Sequence, residues 1–281
     1  FYTYFAARGL PVLFFAIGVY WWLFDRPAWR RNWRGLLIAL AVALVLAIPL
    51  VATLARLPDM TGRVEELAVP LASARDGDFG PLLEHGWQTI GMFFWTGDGE
   101  WLYNIAGRPI FDWLGGLLLV AGLVLSAYRA LSPRAAGRRA ESAFLLLWFL
   151  AGIAPGFVSV PPASLGHTIV AQPATYLLAA LLPGSLLESA GGARRRPLVL
   201  AAGLVLALAS LASNGARDVR DYFVNWPERG MVRFLYRAEY RQAADLLNEH
   251  PEIQDVGLTS ALAGPWDRQA LLVDLERPVA D

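Results

Sequence analysis

Long apolar stretches, separated by clusters of charged residues, run along the first three quarters of the chain. A helix that crosses the hydrocarbon core of a bilayer, roughly 30 Å thick, needs about 20 mostly apolar residues. Six stretches approach or reach this length: 9–24, 36–55, 113–130, 143–160, 169–187 and 198–213. The fifth contains Gln172, Pro173 and Pro183, which predict a kinked or broken span. We therefore predict an all-α, multi-pass membrane domain over residues 1–213, with about six transmembrane helices.

Arginine is distributed unevenly among the connections between these stretches. Clusters follow the first, third and fifth stretches: Arg26, Arg30, Arg31 and Arg34; Arg129, Arg134, Arg138 and Arg139; Arg194, Arg195 and Arg196. Cytoplasmic loops of membrane proteins are enriched in basic residues, so these connections are predicted to face the cytoplasm. The 56–112 loop carries nine carboxylates and four arginines. This loop and the tail, residues 214–281, are then extracytoplasmic.

The composition supports a membrane protein and excludes several kinds of chemistry. Hydrophobic residues make up 56% of the chain and charged residues 17%, whereas soluble domains average about 45–50% and about 25%. The absence of cysteine excludes disulfides, thiol catalysis and cysteine-ligated metals, and the absence of lysine excludes a lysine Schiff base. Since the net charge is zero, we expect no nucleic-acid partner. Three widely spaced histidines, His85, His167 and His250, predict no metal site.

The long loop contains two recognisable segments. Apolar residues recur at helical spacing between Gly80 and Trp95, which predicts an amphipathic helix lying in the membrane interface. The stretch GDGEWLYNIAGRP (97–109) follows, and its Gly-Asp-Gly and Gly-Arg-Pro sequences indicate turns. Asp112 is predicted as the N-cap of the third span.

Four polar residues are candidates for a substrate-binding site at the membrane surface: Asp98, Asn104, Arg108 and His167. The arginine fork matches the oxygens of a lipid phosphate, and a histidine can contact phosphate or carry a proton. A structural interpretation stays open beside this one. In it, Arg108 extends to headgroups, Asp98 shapes a turn, Asn104 bonds loop backbone, and His167 is a polar residue near a helix N-terminus. His85 and His250 are interpreted as surface residues.

The tail has the composition of a soluble domain. Residues 231–249 have helical periodicity, and the stretches 255–260 and 270–275 resemble strands. These elements predict a small extracytoplasmic α/β tail that is cut short. Because the chain begins at Phe1 without a signal-peptide pattern, we expect it to be a fragment of a longer protein.

Five stretches in the same order resemble bacterial glycosyltransferases of family 39, the phospholipid-carrier-dependent enzymes. This family includes protein O-mannosyltransferases and the aminoarabinose transferase of lipid A. The stretches are Tyr2–Pro11, Trp33–Pro49, Gly97–Asp112, His167–Ala180 and Asp221–Trp226.

The resemblance implies a partial C-type membrane fold in the bacterial inner membrane. It also implies transfer of a sugar from a polyprenyl-phosphate carrier to an acceptor at the outer face, without an assigned cofactor or metal. The family's acidic catalytic residue lies in its first extracytoplasmic loop, expected N-terminal to this chain, so no catalytic residue is assigned here. Arg108, Asp98, Asn104 and His167 then bind the donor phosphate or support the site. The alternatives are a transporter or flippase of a lipid-linked intermediate and a non-catalytic membrane scaffold.

Overall fold

The structure, a computed structural model, describes residues 10–56, 69–189, 196–253, 256 and 267–276. Helices and their connections account for these residues, with no strand among them. The helices are α1 (Leu10–Phe24), α2 (Arg26–Arg56), α3 (Val69–Arg75), α4 (Gly80–Gly91), α5 (Trp113–Leu131), α6 (Arg139–Val158), α7 (Gln172–Ser189), α8 (Arg196–Arg220), α9 (Gly230–Leu235), α10 (Ala238–Glu249) and α11 (Asp267–Asp274). Two compact units result: unit 1 is Phe1–Glu100 with Ala106–Arg217, and unit 2 is Trp101–Ile105 with Asp218–Asp281.

Five apolar segments have the length and composition of membrane spans; four lie in unit 1, and the fifth runs from unit 1 into unit 2 at Asp218. They are Arg26–Thr53, Trp113–Leu131, Arg139–Val158, Ile169–Ser189 and Pro197–Asn225, while Pro11–Phe24 is a shorter apolar helix. The predicted helices are thus confirmed as helices, and five of the six are long enough to cross a bilayer. The last is longer than the sequence pattern indicates.

The first arginine cluster lies on a helix and not, as its position after the first apolar stretch predicts, in a connection. Only Asp25 separates α1 from α2, whose first turns carry Arg26, Arg30, Arg31 and Arg34. Asp25 Oδ1 accepts a hydrogen bond from the amide of Ala28 at 3.1 Å, as an N-cap does, and Pro27 suits the first turn of a helix. The apolar pattern therefore shows where the span lies but not where the helix begins.

The core of unit 1 lies where α5, α6 and α7 meet. Leu119 of α5 and Leu178 of α7 are fully buried in it, together with Ile153 of α6. A Cβ at Gly122 would overlap the carbonyl oxygen of Leu178. Small residues allow helix backbones to approach closely in membrane proteins, where apolar burial alone gives little driving force. Gly122 thus sets the distance between α5 and α7.

The predicted break in the fifth span does not occur. A 3-10 turn, Ile169–Ala171, leads into α7, which continues from Gln172 to Ser189 with Pro183 inside it. Pro173 occupies the first turn of α7, where a missing N–H leaves no intrahelical bond unmade. Of the two prolines that suggested a kink or break, Pro173 therefore favours the start of the helix, and the helix continues past Pro183.

Helix α4 confirms the predicted amphipathic helix as far as Gly91. Trp87 is exposed, but Met92 and Phe93, just beyond the helix, are buried in the core of unit 1. The predicted position of Phe93 on the apolar face of an interfacial helix is therefore wrong, because the chain leaves the helix at Gly91 and turns inward.

One prediction for the tail is confirmed with an interruption, and another is wrong. Residues 231–249 are helical as expected except at the join between α9 and α10, where Arg237 has a left-handed φ of +54°. The strand expected at 270–275 lies mostly in α11. Its Ala-Leu-Leu-Val run lacks strict alternation and is rich in helix formers, and Leu271 packs against Tyr240 and Ala244 of α10. The other expected strand, 255–260, lies outside the described residues except for Val256. The tail is thus helical in the residues that the structure describes.

Candidate functional site

The loop that follows α4 is closed by backbone hydrogen bonds between its two ends. The amide of Gly97 donates to the carbonyl oxygen of Gly107 at 3.0 Å. The amide of Gly107 donates in turn to the carbonyl oxygen of Asp98 at 2.8 Å. Gly107 has a φ of +78°, which residues with a Cβ rarely adopt. A Cβ at Gly97 would overlap the carbonyl oxygen of Arg108. The glycines of the Gly-Asp and Gly-Arg-Pro sequences are therefore what lets the two ends meet.

Asp98 is a buried carboxylate that joins two connections of unit 1. Its exposure is only 2%. Oδ1 accepts a hydrogen bond from the amide of Glu100 at 2.8 Å, and Oδ2 accepts one from the amide of Leu165, also at 2.8 Å. The first bond shapes the turn of its own loop, and the second ties that loop to the connection between α6 and α7. Because both oxygens bond to protein amides, Asp98 positions the loops around it.

His167 and His85 both converge on Ser159, which follows α6. His167 Nδ1 lies 2.8 Å from Ser159 Oγ, and His85 Nδ1 lies 3.1 Å from the carbonyl oxygen of Ser159. The hydroxyl of Ser159 donates to the carbonyl oxygen of Pro155 at 2.5 Å. With its only proton used there, Ser159 Oγ accepts from His167 Nδ1. His85 Nδ1 also carries a proton, because a carbonyl oxygen only accepts.

Burial of the His167 ring lowers its pKa below 6.5, since desolvation disfavours the charged imidazolium. The carbonyl of Pro161 and the negative charge of Asp98 act in the opposite direction without cancelling this effect. His167 is therefore neutral at neutral pH. In this form it can accept a proton, and an approaching anion would favour its protonation.

The connection that carries His167 is held by further polar contacts. Thr168 Oγ1 donates to the carbonyl of Ser164 at 2.9 Å, and the amide of Ala163 donates to Thr89 Oγ1 of α4 at 3.4 Å. The three side chains Thr89, Ser164 and Thr168 are all buried. The connection between α6 and α7 is thus fixed by hydrogen bonds to α4 on one side and to the 97–109 loop on the other.

Asp112 caps α5, as the sequence predicts, and also joins α5 to α8. Its Oδ1 accepts from the amide of Gly115 at 2.8 Å and from Asn214 Nδ2 at 3.2 Å, while Ser213 Oγ donates to Oδ2. Burial raises the pKa of Asp112, but these three hydrogen bonds and the charge of Arg217 outweigh it, so the pKa lies below 3.8. The carboxylate is therefore ionised at neutral pH and belongs to a structural junction.

The four candidate residues do not all belong to the same unit. Asp98, Arg108 and His167 lie in unit 1, and Asp98 joins the segments that carry the other two. Arg108 is half-buried, with its Nε atom inaccessible to solvent. Asn104 is half-buried in unit 2. In that unit the carbonyl oxygens of neighbouring Trp101 and Leu102 accept hydrogen bonds from Trp226 and Tyr236.

Sequence reasoning missed two residues of the cluster, Ser159 and His85. The expectation that His85 is simply a surface residue is wrong, because it is half-buried and bonds to Ser159. No local signal identifies either residue, because their contacts form only on folding: Ser159 meets His167, 8 positions away, and His85, 74 positions away.

Among the described residues, no group of three or more histidine or acidic side chains is arranged to hold a metal ion. Comparison with known proteins finds no matching family model, curated protein or solved structure.

Proposed function

We propose that the chain is part of an integral membrane glycosyltransferase that moves a sugar from a polyprenyl-phosphate carrier to an acceptor at the outer face of the bacterial inner membrane. The ordered resemblance of five stretches supports this proposal. One structural observation carries it further: buried Asp98 ties the Gly97–Asp112 loop, which holds Arg108, to the connection that holds His167. Two phosphate-binding residue types thus lie on joined loops at one end of apolar helices.

This location suits a lipid-linked donor. The polyprenyl chain of the carrier lies in the bilayer, so its phosphate stays at headgroup depth, next to the ends of membrane helices. Helices α5 and α7 begin at this end of unit 1 and α6 ends there. Residues on the connections between them therefore reach the phosphate without entering the hydrocarbon core.

The proposed reaction is a substitution at the anomeric carbon of the sugar. A hydroxyl oxygen of the acceptor bonds to this carbon, its proton passes to a base, and the bond from the carbon to the phosphate oxygen breaks. The electron pair of that bond leaves with the polyprenyl phosphate. Arg108 and His167 stabilise the growing negative charge on the phosphate, and Asp98 positions the loops that carry them. The base is not assigned to a residue of this chain.

The test uses the full-length protein that contains this chain, in liposomes with a polyprenyl-phosphate sugar labelled in the sugar and a cell-envelope extract as the source of acceptors. Arg108→Ala and His167→Ala should each reduce transfer about 10- to 100-fold, because a charge-assisted hydrogen bond is worth about 1.5–3 kcal/mol. Arg134→Ala is the matched control. This arginine is exposed and follows the opposite end of α5, so its loss should leave transfer unchanged.

Each result has a defined meaning. Unchanged transfer in both variants would remove Arg108 and His167 from the site. Movement of the labelled lipid across the bilayer without transfer would replace the glycosyltransferase with a transporter or flippase. If the protein neither binds nor consumes the lipid, it is a scaffold, and the proposal is wrong.

A further inference from the structure

The residues that follow α8 expose a dense set of aromatic and apolar side chains. We call this set the aromatic patch; its members are Tyr222, Phe223, Val224, Met231, Phe234 and Leu235. Phe223 is 70% exposed and Phe234 is 44% exposed. Exposed apolar groups concentrated in so short a segment indicate a surface that binds something.

Aromatic stacking holds the two parts of the patch together. Tyr222, in the π-helical turn Asp221–Asn225, stacks on Trp226 with ring centroids 5.3 Å apart, and Trp226 meets Tyr236 edge-on at 5.5 Å. Trp226 Nε1 donates to the carbonyl oxygen of Trp101 at 2.9 Å, and the Tyr236 hydroxyl donates to that of Leu102 at 2.8 Å. The polar groups of this stack are therefore hydrogen-bonded within unit 2, whereas the neighbouring apolar side chains are exposed on its surface.

Helix α9 has one apolar face and one buried contact. Met231, Phe234 and Leu235 recur at the spacing that places residues on one side of a helix, and all three are exposed, while Val232 is buried. Residues 229–237 contain three arginines; Arg237 pairs with Glu239 and Asp267, so Arg229 and Arg233 are the charges that accompany the exposed face. Exposed aromatic residues with arginines between them are typical of segments that lie in the headgroup region of a bilayer.

The position of the patch along the chain favours a lipid surface over other partners. The patch begins inside the last turn of the apolar segment Pro197–Asn225, which has 29 residues, and its other members follow within ten residues of the end of that segment. At 1.5 Å per residue such a helix is about 43 Å long, whereas the hydrocarbon core is about 30 Å thick. If the helix crosses the bilayer, its last turns lie at headgroup depth, and Tyr222 and Phe223 are among them. The chain itself then keeps the patch next to the membrane.

We propose that the aromatic patch binds the surface of an anionic phospholipid bilayer, with its aromatic side chains among the headgroups and Arg229 and Arg233 contacting lipid phosphates. The aromatic groups provide the apolar burial, and the arginines provide attraction to anionic lipid. This interaction is independent of sugar transfer.

The chain contains no cysteine, so a single introduced cysteine can be labelled selectively. Phe223→Cys and Phe234→Cys would each carry an environment-sensitive fluorophore, and Val273→Cys on α11, which is 81% exposed, is the matched control. The labelled proteins are reconstituted in phosphatidylcholine vesicles with or without phosphatidylglycerol. Lipids with a nitroxide quencher near the headgroup report contact with the bilayer.

In vesicles with phosphatidylglycerol, labels at 223 and 234 should show blue-shifted emission and quenching by the nitroxide lipid, whereas the label at 273 should show neither. Replacing Arg229 and Arg233 by glutamine should reduce the quenching to its level in neutral vesicles. Both labelled positions are used so that the test does not depend on one substitution being tolerated. Size-exclusion elution and thermal midpoints select the folded variants.

Three results would overturn the proposal. Labels at 223 and 234 as exposed to water as the label at 273 would show that no membrane covers the patch. Labels shielded from water but not quenched by nitroxide lipid would show that a protein surface, such as a second copy, covers it. Equal quenching in neutral and anionic vesicles would show that Arg229 and Arg233 are not attracted to anionic lipids.

Discussion

The two ends of the α5–α7 bundle in unit 1 are held by different forces. At the end where α5 begins, a buried carboxylate and buried hydroxyls bond to loop backbone, as Asp98 does with the amide of Leu165. At the end where α6 begins, Arg138 pairs with Glu188 at 2.6 Å, and these side chains are 48% and 61% exposed. Buried hydrogen bonds fix geometry because they are costly to leave unmade, whereas exposed ion pairs contribute little.

This difference indicates which end has a defined shape. The loops that carry Arg108 and His167 are constrained to one arrangement, as a binding site requires. At the arginine-rich end the hydrogen bonds join helices rather than loops: Ser126 Oγ donates to the carbonyl oxygen of Ser142 at 3.2 Å, and Arg129 donates to Ser185 Oγ at 2.8 Å. Four changes test this comparison, from the largest expected effect to the smallest.

Gly97→Ala should lower the free energy of unfolding by about 3 kcal/mol, because the new Cβ would overlap the carbonyl oxygen of Arg108 and push the loop ends apart. Gly99→Ala is the control. Nothing lies within 4 Å of a Cβ at Gly99, so its effect should stay within about 0.5 kcal/mol. Denaturant titration in detergent micelles measures both. Equal effects of the two variants would mean that the loop is not closed at Gly97.

Asp98→Asn should cost about 2 kcal/mol, because an amide has only one oxygen to accept from two amides, and one of them is left facing an NH₂ group. Asp112→Asn should cost at most about 0.5 kcal/mol, since asparagine caps helices about as well as aspartate. The same titration compares them. A larger loss for Asp112→Asn would place the main constraint at the α5–α8 junction instead.

Protonation of His167 should have a smaller effect that is confined to acidic pH. Its pKa lies below 6.5 in the folded protein because of burial, so the unfolded chain takes up the proton first. Protonation of His167 therefore lowers the free energy of unfolding. This free energy is at its full value above about pH 6.5 and decreases as the pH falls through the pKa of the folded protein.

Thermal midpoints of the wild type and His167→Gln, measured between neutral and mildly acidic pH, test this. The wild type should lose more stability on acidification than the variant. Parallel curves would mean that the His167 ring is not desolvated in the folded protein.

Arg138→Gln should have the smallest effect, about 0–0.5 kcal/mol, because its ion pair with Glu188 is exposed and screened by salt. A double-mutant cycle with Glu188→Gln at low and high salt isolates the pair. A coupling energy above about 1 kcal/mol that persists at high salt would show that this end is as firmly constrained as the other.

The sequence predicts the helical spans well, because a run of apolar residues of this length has few alternatives to a helix. It predicts the ends of helices less well. Asp112 as an N-cap is confirmed, since capping depends on a residue and its near neighbours. The start of α2 at Arg26 and the helix at 267–274 depend on local signals that the apolar pattern does not contain, namely the Asp25 N-cap and a run of helix formers. The break at Arg237 is not predicted either.

The candidate site shows the same limit. The turn at Gly107 follows from local sequence and is found, and at 97–100 the Asp98 side chain accepts from the amide of Glu100. That Asp98 reaches Leu165, and that His85 and His167 meet at Ser159, depends on long-range packing of α4, α6 and α7. Local sequence therefore identifies residues such as Asp98 and His167, but not their partners.

The segment Trp101–Ile105 interrupts unit 1 and is counted with unit 2. Shortening the protein at its C-terminus would therefore take more than a tail away. Without Trp226 and Tyr236, the carbonyl groups of Trp101 and Leu102 lose their donors, and the stretch that carries Asn104 loses its support. If a truncated chain transferred less sugar, the loss could come from the missing tail or from the disturbed 101–105 segment. Point substitutions separate these two causes.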